Sequence, residues 1–290
     1  MNAAHRSMIL MAVFMALWVL IEGLAAVSLT RAYSPFEIVW WRYGVHLLFM
    51  LAVWGWRDPS SLWRTQRPVM HFTRSLLMLA MPASWIFALY EHVPLSTSMT
   101  IFWLSPVLVI GLAVFVLGER VRARIWLVAS CGWLGVVLLL RPEMPALGAP
   151  LLLPAAMAVT FAVYIVMTRV LRTEAGHVNL FYTALGVFIA LSPIMPAVWV
   201  MPIGRDLLVL TGIGVAGYVA LLALDRMAAA APVSISAPFA FLQLPFAVAA
   251  TAISGQVHLD KRMGLGFVLI LGAAAVVWLQ WSPQRPGVTA

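Results

Sequence analysis

Charge is what this sequence has least of. Only 10% of its 290 residues are charged, where a soluble protein carries about 25%. With 63% hydrophobic residues and a mean hydropathy of +0.99, the chain cannot cover itself with polar groups in water. Cysteine is almost missing. Cys131 stands alone, which excludes an intramolecular disulfide and a thiolate metal site. Long polar stretches are missing as well. The longest gap between apolar runs goes only from Gly55 to Pro68, too short for an extramembrane domain. There is no P-loop lysine motif, no H-E-x-x-H and no G-x-S-x-G, so the chain by itself is neither an ATP-driven pump nor an enzyme of those classes. Six dispersed histidines give no metal-ligand spacing, and no cofactor motif holds up.

What is present is apolar sequence in long runs. Ten emerge, at about 8–29, 35–54, 69–90, 94–117, 124–140, 148–168, 178–200, 207–224, 233–253 and 264–281. Each is near the length needed to cross a bilayer as a helix. They are too long and too uniformly apolar for the alternating strands of a β-barrel. Met1 to Val27 could pass for a signal peptide, but its run is long and contains Glu22, so it reads as a first membrane helix. The fold class is therefore an all-α membrane protein with ten transmembrane helices.

The net charge of +8 would suggest nucleic acid in a soluble protein. Here the basic residues sit in short loops, so they report topology instead. With both termini in the cytoplasm, twelve basic side chains, Arg74 among them, lie on that side. Five (Arg31, Arg141, Arg205, Lys261 and Arg262) lie outside, and Arg42 remains within a span. The bias supports an inner-membrane protein with cytoplasmic ends.

The chain is organised around Pro94–Arg124. Its apolar run is interrupted by Ser105-Pro106, where proline removes a backbone hydrogen bond and marks a kink. Gly118-Glu119 closes it as a helix stop. The unit recurs 137 residues later: Gly255-Gln256 answers Gly118-Glu119, Gln243 falls opposite Pro106 with Pro245 two residues on, and Leu271-Gly272 answers Leu134-Gly135. Each half, 1–144 and 145–290, then holds five helices. Five is odd, so the second half enters the membrane inverted, an arrangement typical of secondary transporters with a midplane site.

These residues resemble a known family. The Ser-Pro in span four, the LGER that follows, the Gly-rich fifth span, Arg42-Tyr43 in span two and the ALYEHVPLSTSM turn are similar to the drug/metabolite transporter superfamily, and within it to the EamA-like transporters. Gln256 departs from the acidic residue expected there. The resemblance implies a carrier of two five-helix repeats that moves small metabolites by alternating access. Amino acids, nucleotide-like compounds and drugs all occur among such substrates. The first half also resembles relatives that take up or exchange S-adenosylmethionine-like molecules.

Charges inside a span must face protein or water and usually have a partner. Glu22 and Arg42 fall at similar depth in spans one and two. They are read either as a substrate site, with Arg42 on a carboxylate or phosphate and Glu22 on an amine or coupling proton, or as a structural ion pair. His46 lies one turn beyond Arg42 as a second proton-coupling candidate or a packing residue. Glu37 reads as a boundary residue. Trp18 shares the helix face of Glu22. Trp18, Trp103, Tyr164 and Tyr218 are the aromatic candidates for a cavity wall that stacks on a flat or cationic substrate. Gln243 is a full amide in mid-span and a cavity candidate. Pro106, Pro245, Gly118 and Glu119 read as structural, with Glu119 set to pair with Arg122 or Arg124 ahead of span five. Gly212-Ile-Gly-Val-Ala-Gly217 matches a dinucleotide fingerprint but lies in a span without a strand, so close helix packing is expected instead.

The sequence thus points to a secondary active transporter, not an enzyme. The substrate expected first is an amino acid or related polar metabolite, exported. The alternative is uptake or exchange of S-adenosylmethionine-like nucleosides. The remaining alternative, a membrane scaffold or an intramembrane lipid enzyme, fits poorly, because the first has no use for buried charges and the second lacks clustered acids or histidines. The partners expected are a small-molecule substrate, the lipid bilayer and a coupling proton, with homodimer formation left open and nucleic acid excluded. No cofactor is expected.

Overall fold

The computed structural model describes residues 2–28, 33–56, 58–143, 148–253 and 260–281. Gln256, Gly255, Arg31, Arg57, Arg285 and the boundary between the two halves lie outside them. The described residues form helices and no strand. Ten helices are long and apolar enough to cross a membrane: Ala3–Ala26, Pro35–Gly55, Pro68–Tyr90, Leu95–Leu117, Ala123–Leu140, Ala149–Val170, Gly176–Val198, Arg205–Ala230, Val233–Ala252 and Lys261–Gln280. They are called spans one to ten below.

Local chemistry sets their ends. Pro35 and Pro68 open spans two and three, where a missing N–H costs nothing. Gly118 closes span four with φ 67°, a left-handed conformation that suits glycine. Several starts come earlier than hydropathy alone suggests. Span one begins at Ala3, which takes His5 and Arg6 into its first turns. Span three begins at Pro68, which carries Arg74 two turns inside the helix, where it is 1% exposed. Arg74, counted from sequence with the cytoplasmic basic residues, is a buried side chain within the span.

Spans four and nine are both broken. In span four the helix Leu95–Phe102 gives way at Trp103-Leu104 to a second helix, Ser105–Leu117. In span nine a short helix, Val233–Ser236, passes through a 3-10 segment, Ala237–Leu242, into the helix Gln243–Ile253. Proline follows each break closely, as Pro106 and Pro245, because a helix can restart with proline in its first turn. Span one packs on span eight, span two on spans seven and eight, span three on spans six and seven, and span five on span ten.

Both described ends meet on one face. The Asn2 amide donates to the Trp281 carbonyl at 2.7 Å, and the His5 ring stacks obliquely on Trp278 at 4.2 Å. This is called the terminal face here. On the opposite face Arg141, after span five, pairs with Asp260, before span ten.

Candidate functional site

The site grows from one helix turn. Trp18 and Glu22 are four residues apart on span one, and the indole N–H donates to Glu22 Oε1 at 2.8 Å. Gln243, the first residue of the second helix of span nine, donates its amide to Glu22 Oε2 at 3.0 Å. Arg42 of span two places its guanidinium carbon 5.1 Å from the Trp18 ring centroid and 4.7 Å from that of Tyr43. It donates to the Tyr43 hydroxyl at 3.2 Å.

Glu22 and Arg42 do not form a direct ion pair among the described residues. Of the two readings of this pair, the structural ion pair is not seen: Trp18 stands between them, bonding the anion with its edge and the cation with its face. Arg42 and Gln243 are each 8% exposed, whereas Glu22 is accessible. The result is an open carboxylate held by two neutral donors. It remains able to accept from a third party.

Glycine makes room for Arg42. A methyl on Gly217 would lie 3.1 Å from the Arg42 Cγ and Cδ atoms, and one on Gly214 would collide with Val45. Span eight therefore lets span two lie against it at this depth. Two glycines of the apparent dinucleotide fingerprint serve helix packing, while Gly212 borders open space.

An aromatic path leads inward from Trp18. Trp18 meets Phe14 at 5.5 Å, Phe14 meets Phe161 at 6.5 Å, and Phe161 meets Phe102 at 5.5 Å. Phe102 then meets Trp103 at 4.9 Å, and Trp103 meets Phe241 at 6.3 Å. The path crosses spans one, six, four and nine. At the break in span four, Ser98 Oγ, Trp103 Nε1 and Ser105 Oγ are buried without a hydrogen-bond partner. Such atoms are rare and costly in a finished interior.

Of the seven expected binding residues, the structure brings Trp18, Glu22, Arg42 and Gln243 together. Trp103 lies on the aromatic path, 1% exposed. Tyr218 stands edge-on to His46 at 5.0 Å. His46 is buried and its Nε2 has no partner, so no hydrogen-bonded route leads from it to Glu22 among the described residues. Tyr164 lies instead under Arg74, at 5.2 Å. Glu119 does not cap span five: its carboxylate accepts from the backbone N–H groups of Val233 and Ser234 at 3.0 and 3.1 Å and from the Ser234 hydroxyl at 2.5 Å. It thus caps span nine, and the pairing with Arg122 or Arg124 is replaced by this contact. Glu37 is buried, and its carboxylate accepts from the Val200 N–H at 3.1 Å, tying the start of span two to the residues that follow span seven. No group of three or more His, Cys, Asp or Glu side chains suited to a metal occurs among the described residues.

The residue missed from sequence is Arg74. The signal was the apolar run 69–90 itself, which already contained Arg74. Its guanidinium donates to Thr168 Oγ1 at 3.2 Å, to Thr183 Oγ1 at 2.8 Å and to the Asn179 carbonyl. Asn179 in turn donates to Asp225 Oδ1 at 2.8 Å.

Known proteins share this architecture. A solved chain superposes with a TM-score of 0.79 at 22% identity, covering 94% of this chain and 96% of its own. An S-adenosylmethionine uptake transporter of Rickettsia felis is 25% identical over 249 residues, 86% of this chain and 84% of the relative. A riboflavin transporter of Rhizobium johnstonii is 28% identical over 284 residues, 92% and 91% of the two chains. These relatives make the chain a multi-pass membrane protein of the small-metabolite transporter kind. Residues 6–141, nearly the first half of the chain, match the EamA-like transporter family.

Proposed function

We propose that the protein is an uptake or exchange carrier for a small metabolite that joins a flat heterocycle to a cationic, zwitterionic tail, as S-adenosylmethionine does. The observation that carries this reading is Glu22, an accessible carboxylate bonded to Trp18 and Gln243 at the mouth of an aromatic path. A cation finds a carboxylate and an indole face together, and a flat ring would stack on the half-buried Trp18, behind which Phe14, Phe161 and Phe102 are packed. Arg42 has one side-chain acceptor, Tyr43, for its five donors, so it can take the substrate's own carboxylate. The Rickettsia relative's name supports this chemistry. Nothing in the relatives favours amino-acid export over it.

A flavin is the second reading, favoured by the riboflavin transporter among the relatives. It would use the same aromatic path without needing Glu22. In either reading, residues 1–144 and 145–290 act as inverted repeats that rock about the seam between spans four and nine. Both termini face the cytoplasm, and in the first reading Glu22 carries any coupling proton.

The test is flux into proteoliposomes with labelled S-adenosylmethionine, riboflavin and an amino acid, after a thermal-shift screen of the same compounds. Saturable S-adenosylmethionine flux that Glu22→Gln abolishes supports the first reading. Riboflavin flux that survives Glu22→Gln replaces it with the second.

A further inference from the structure

Arg74 sits where the inverted halves would match the site just described. Span one starts at Ala3 and span six at Ala149, an offset of 146. That offset carries Trp18 to Tyr164 and Glu22 to Thr168. Span two starts at Pro35 and span seven at Gly176, an offset of 141, which carries Arg42 to Thr183. Arg74 stacks on Tyr164 and donates to both Thr168 and Thr183. It therefore touches the counterpart of all three residues.

A second pair of contacts follows the same pattern. A methyl on Gly214 would strike Val45, and a methyl on Gly186 would strike Ser75. The offset of 141 carries Val45 to Gly186, and Ser75 is the neighbour of Arg74. The contact of span two with span eight is thus repeated as the contact of span seven with span three.

The two arginines differ in how fully they are bound. Arg42 makes one side-chain hydrogen bond beside an accessible carboxylate. Arg74 is 1% exposed and makes three bonds to three neutral oxygens from spans six and seven. A guanidinium buried in a membrane protein persists only while such acceptors surround it. Separating span three from spans six and seven would strip them all at once.

We propose that Arg74 is the lock of the terminal face. It holds spans three, six and seven closed on that side and must release Tyr164, Thr168 and Thr183 before the carrier opens there. The Asn179–Asp225 bond behind it keeps the acceptor shell in place. This rests on the carrier reading, but its test needs no substrate.

Cys131→Ala gives a cysteine-free background, since Cys131 is the only cysteine. Met78→Cys then places a reporter thiol one turn beyond Arg74, at a position 2% exposed. The rate at which a water-soluble maleimide labels that thiol is measured in reconstituted protein. Arg74→Gln should raise it about tenfold or more, the factor that one lost charge-assisted hydrogen bond is worth. Gly186→Ala, which drives Ser75 away without touching Arg74, should raise it as well, and Gly214→Ala on the other contact should not. Arg74→Lys should fall between wild type and Arg74→Gln, because it keeps the charge but not the fork. Unchanged labelling in both Arg74→Gln and Gly186→Ala overturns the lock, as does an equal rise in Gly214→Ala. A failure of S-adenosylmethionine flux with the labelling pattern intact would count against the substrate and leave the lock standing.

Discussion

Arg42 and Glu22 share a single tryptophan and not a bond. The indole N–H of Trp18 is 2.8 Å from the Glu22 carboxylate, while the Arg42 guanidinium lies 5.1 Å from the centre of the same ring. A direct ion pair would satisfy both charges and close the site. An indole between them leaves each charge only partly satisfied, which suits groups that must bind and release a ligand.

Trp18 can be separated into its two functions. Trp18→Phe keeps the ring face for Arg42 and loses the donor to Glu22. A hydrogen bond to a charged group is worth about 1.5–3 kcal/mol, so a rise of roughly tenfold or more in the KM for flux is expected, with the protein still folded. Trp18→Ala should be worse, because the ring face goes too. Initial rates in proteoliposomes check both.

Arg42→Ala should abolish flux of zwitterionic substrates while the protein still inserts and purifies as a single species. Some stability is lost with it, because the side chain is buried against Trp18, Tyr43 and Gly217. Wild-type flux in this variant would sink the assignment of Arg42 to the site.

Gly217→Ala tests the same arginine from the other side. The added methyl lies 3.1 Å from two Arg42 carbons, a contact that the flexible side chain can relieve by moving. Overpacking typically costs about 1–3 kcal/mol. Here the larger effect is expected on transport, because Arg42 must shift by a few tenths of an ångström where it lies over Trp18. A melting curve together with a flux measurement distinguishes the two effects.

Glu119→Ala should act on stability alone. It removes the acceptor for two backbone N–H groups at the start of span nine, and the loss of such a cap costs about 0.5–2 kcal/mol. A lower melting temperature with an unchanged KM is expected. A changed KM with an unchanged melting temperature would make Glu119 a transport residue.

The ten spans were legible because hydropathy integrates over about twenty residues and tolerates local error. The break in span four was legible in Ser105-Pro106, since proline acts on its own backbone. Span nine was harder to read: its 3-10 segment, Ala237–Leu242, has a proline at only one position, Pro238. Glu22 and Arg42 stood out as charges within apolar runs. Their partners did not, because Gln243 reaches Glu22 across 221 positions of sequence. Arg74 fell inside the apolar run 69–90 but was counted with the cytoplasmic basic residues, and only its helix register turns it to the interior. Glu119 was drawn to nearby arginines by proximity in sequence, whereas its partners lie more than a hundred residues away.

The bond from Gln243 to Glu22 joins span nine to span one, and in the proposed carrier it would limit how tightly a cationic substrate is held. A cation arriving at Glu22 displaces an amide that was already bonded there. The number of hydrogen bonds to the carboxylate then stays nearly constant, and only the difference between the two partners drives capture. An exchange of near-equals makes for modest affinity and a low barrier to departure. When the ligand leaves, Gln243 can take its place again, so the carboxylate need not stand empty on the return journey.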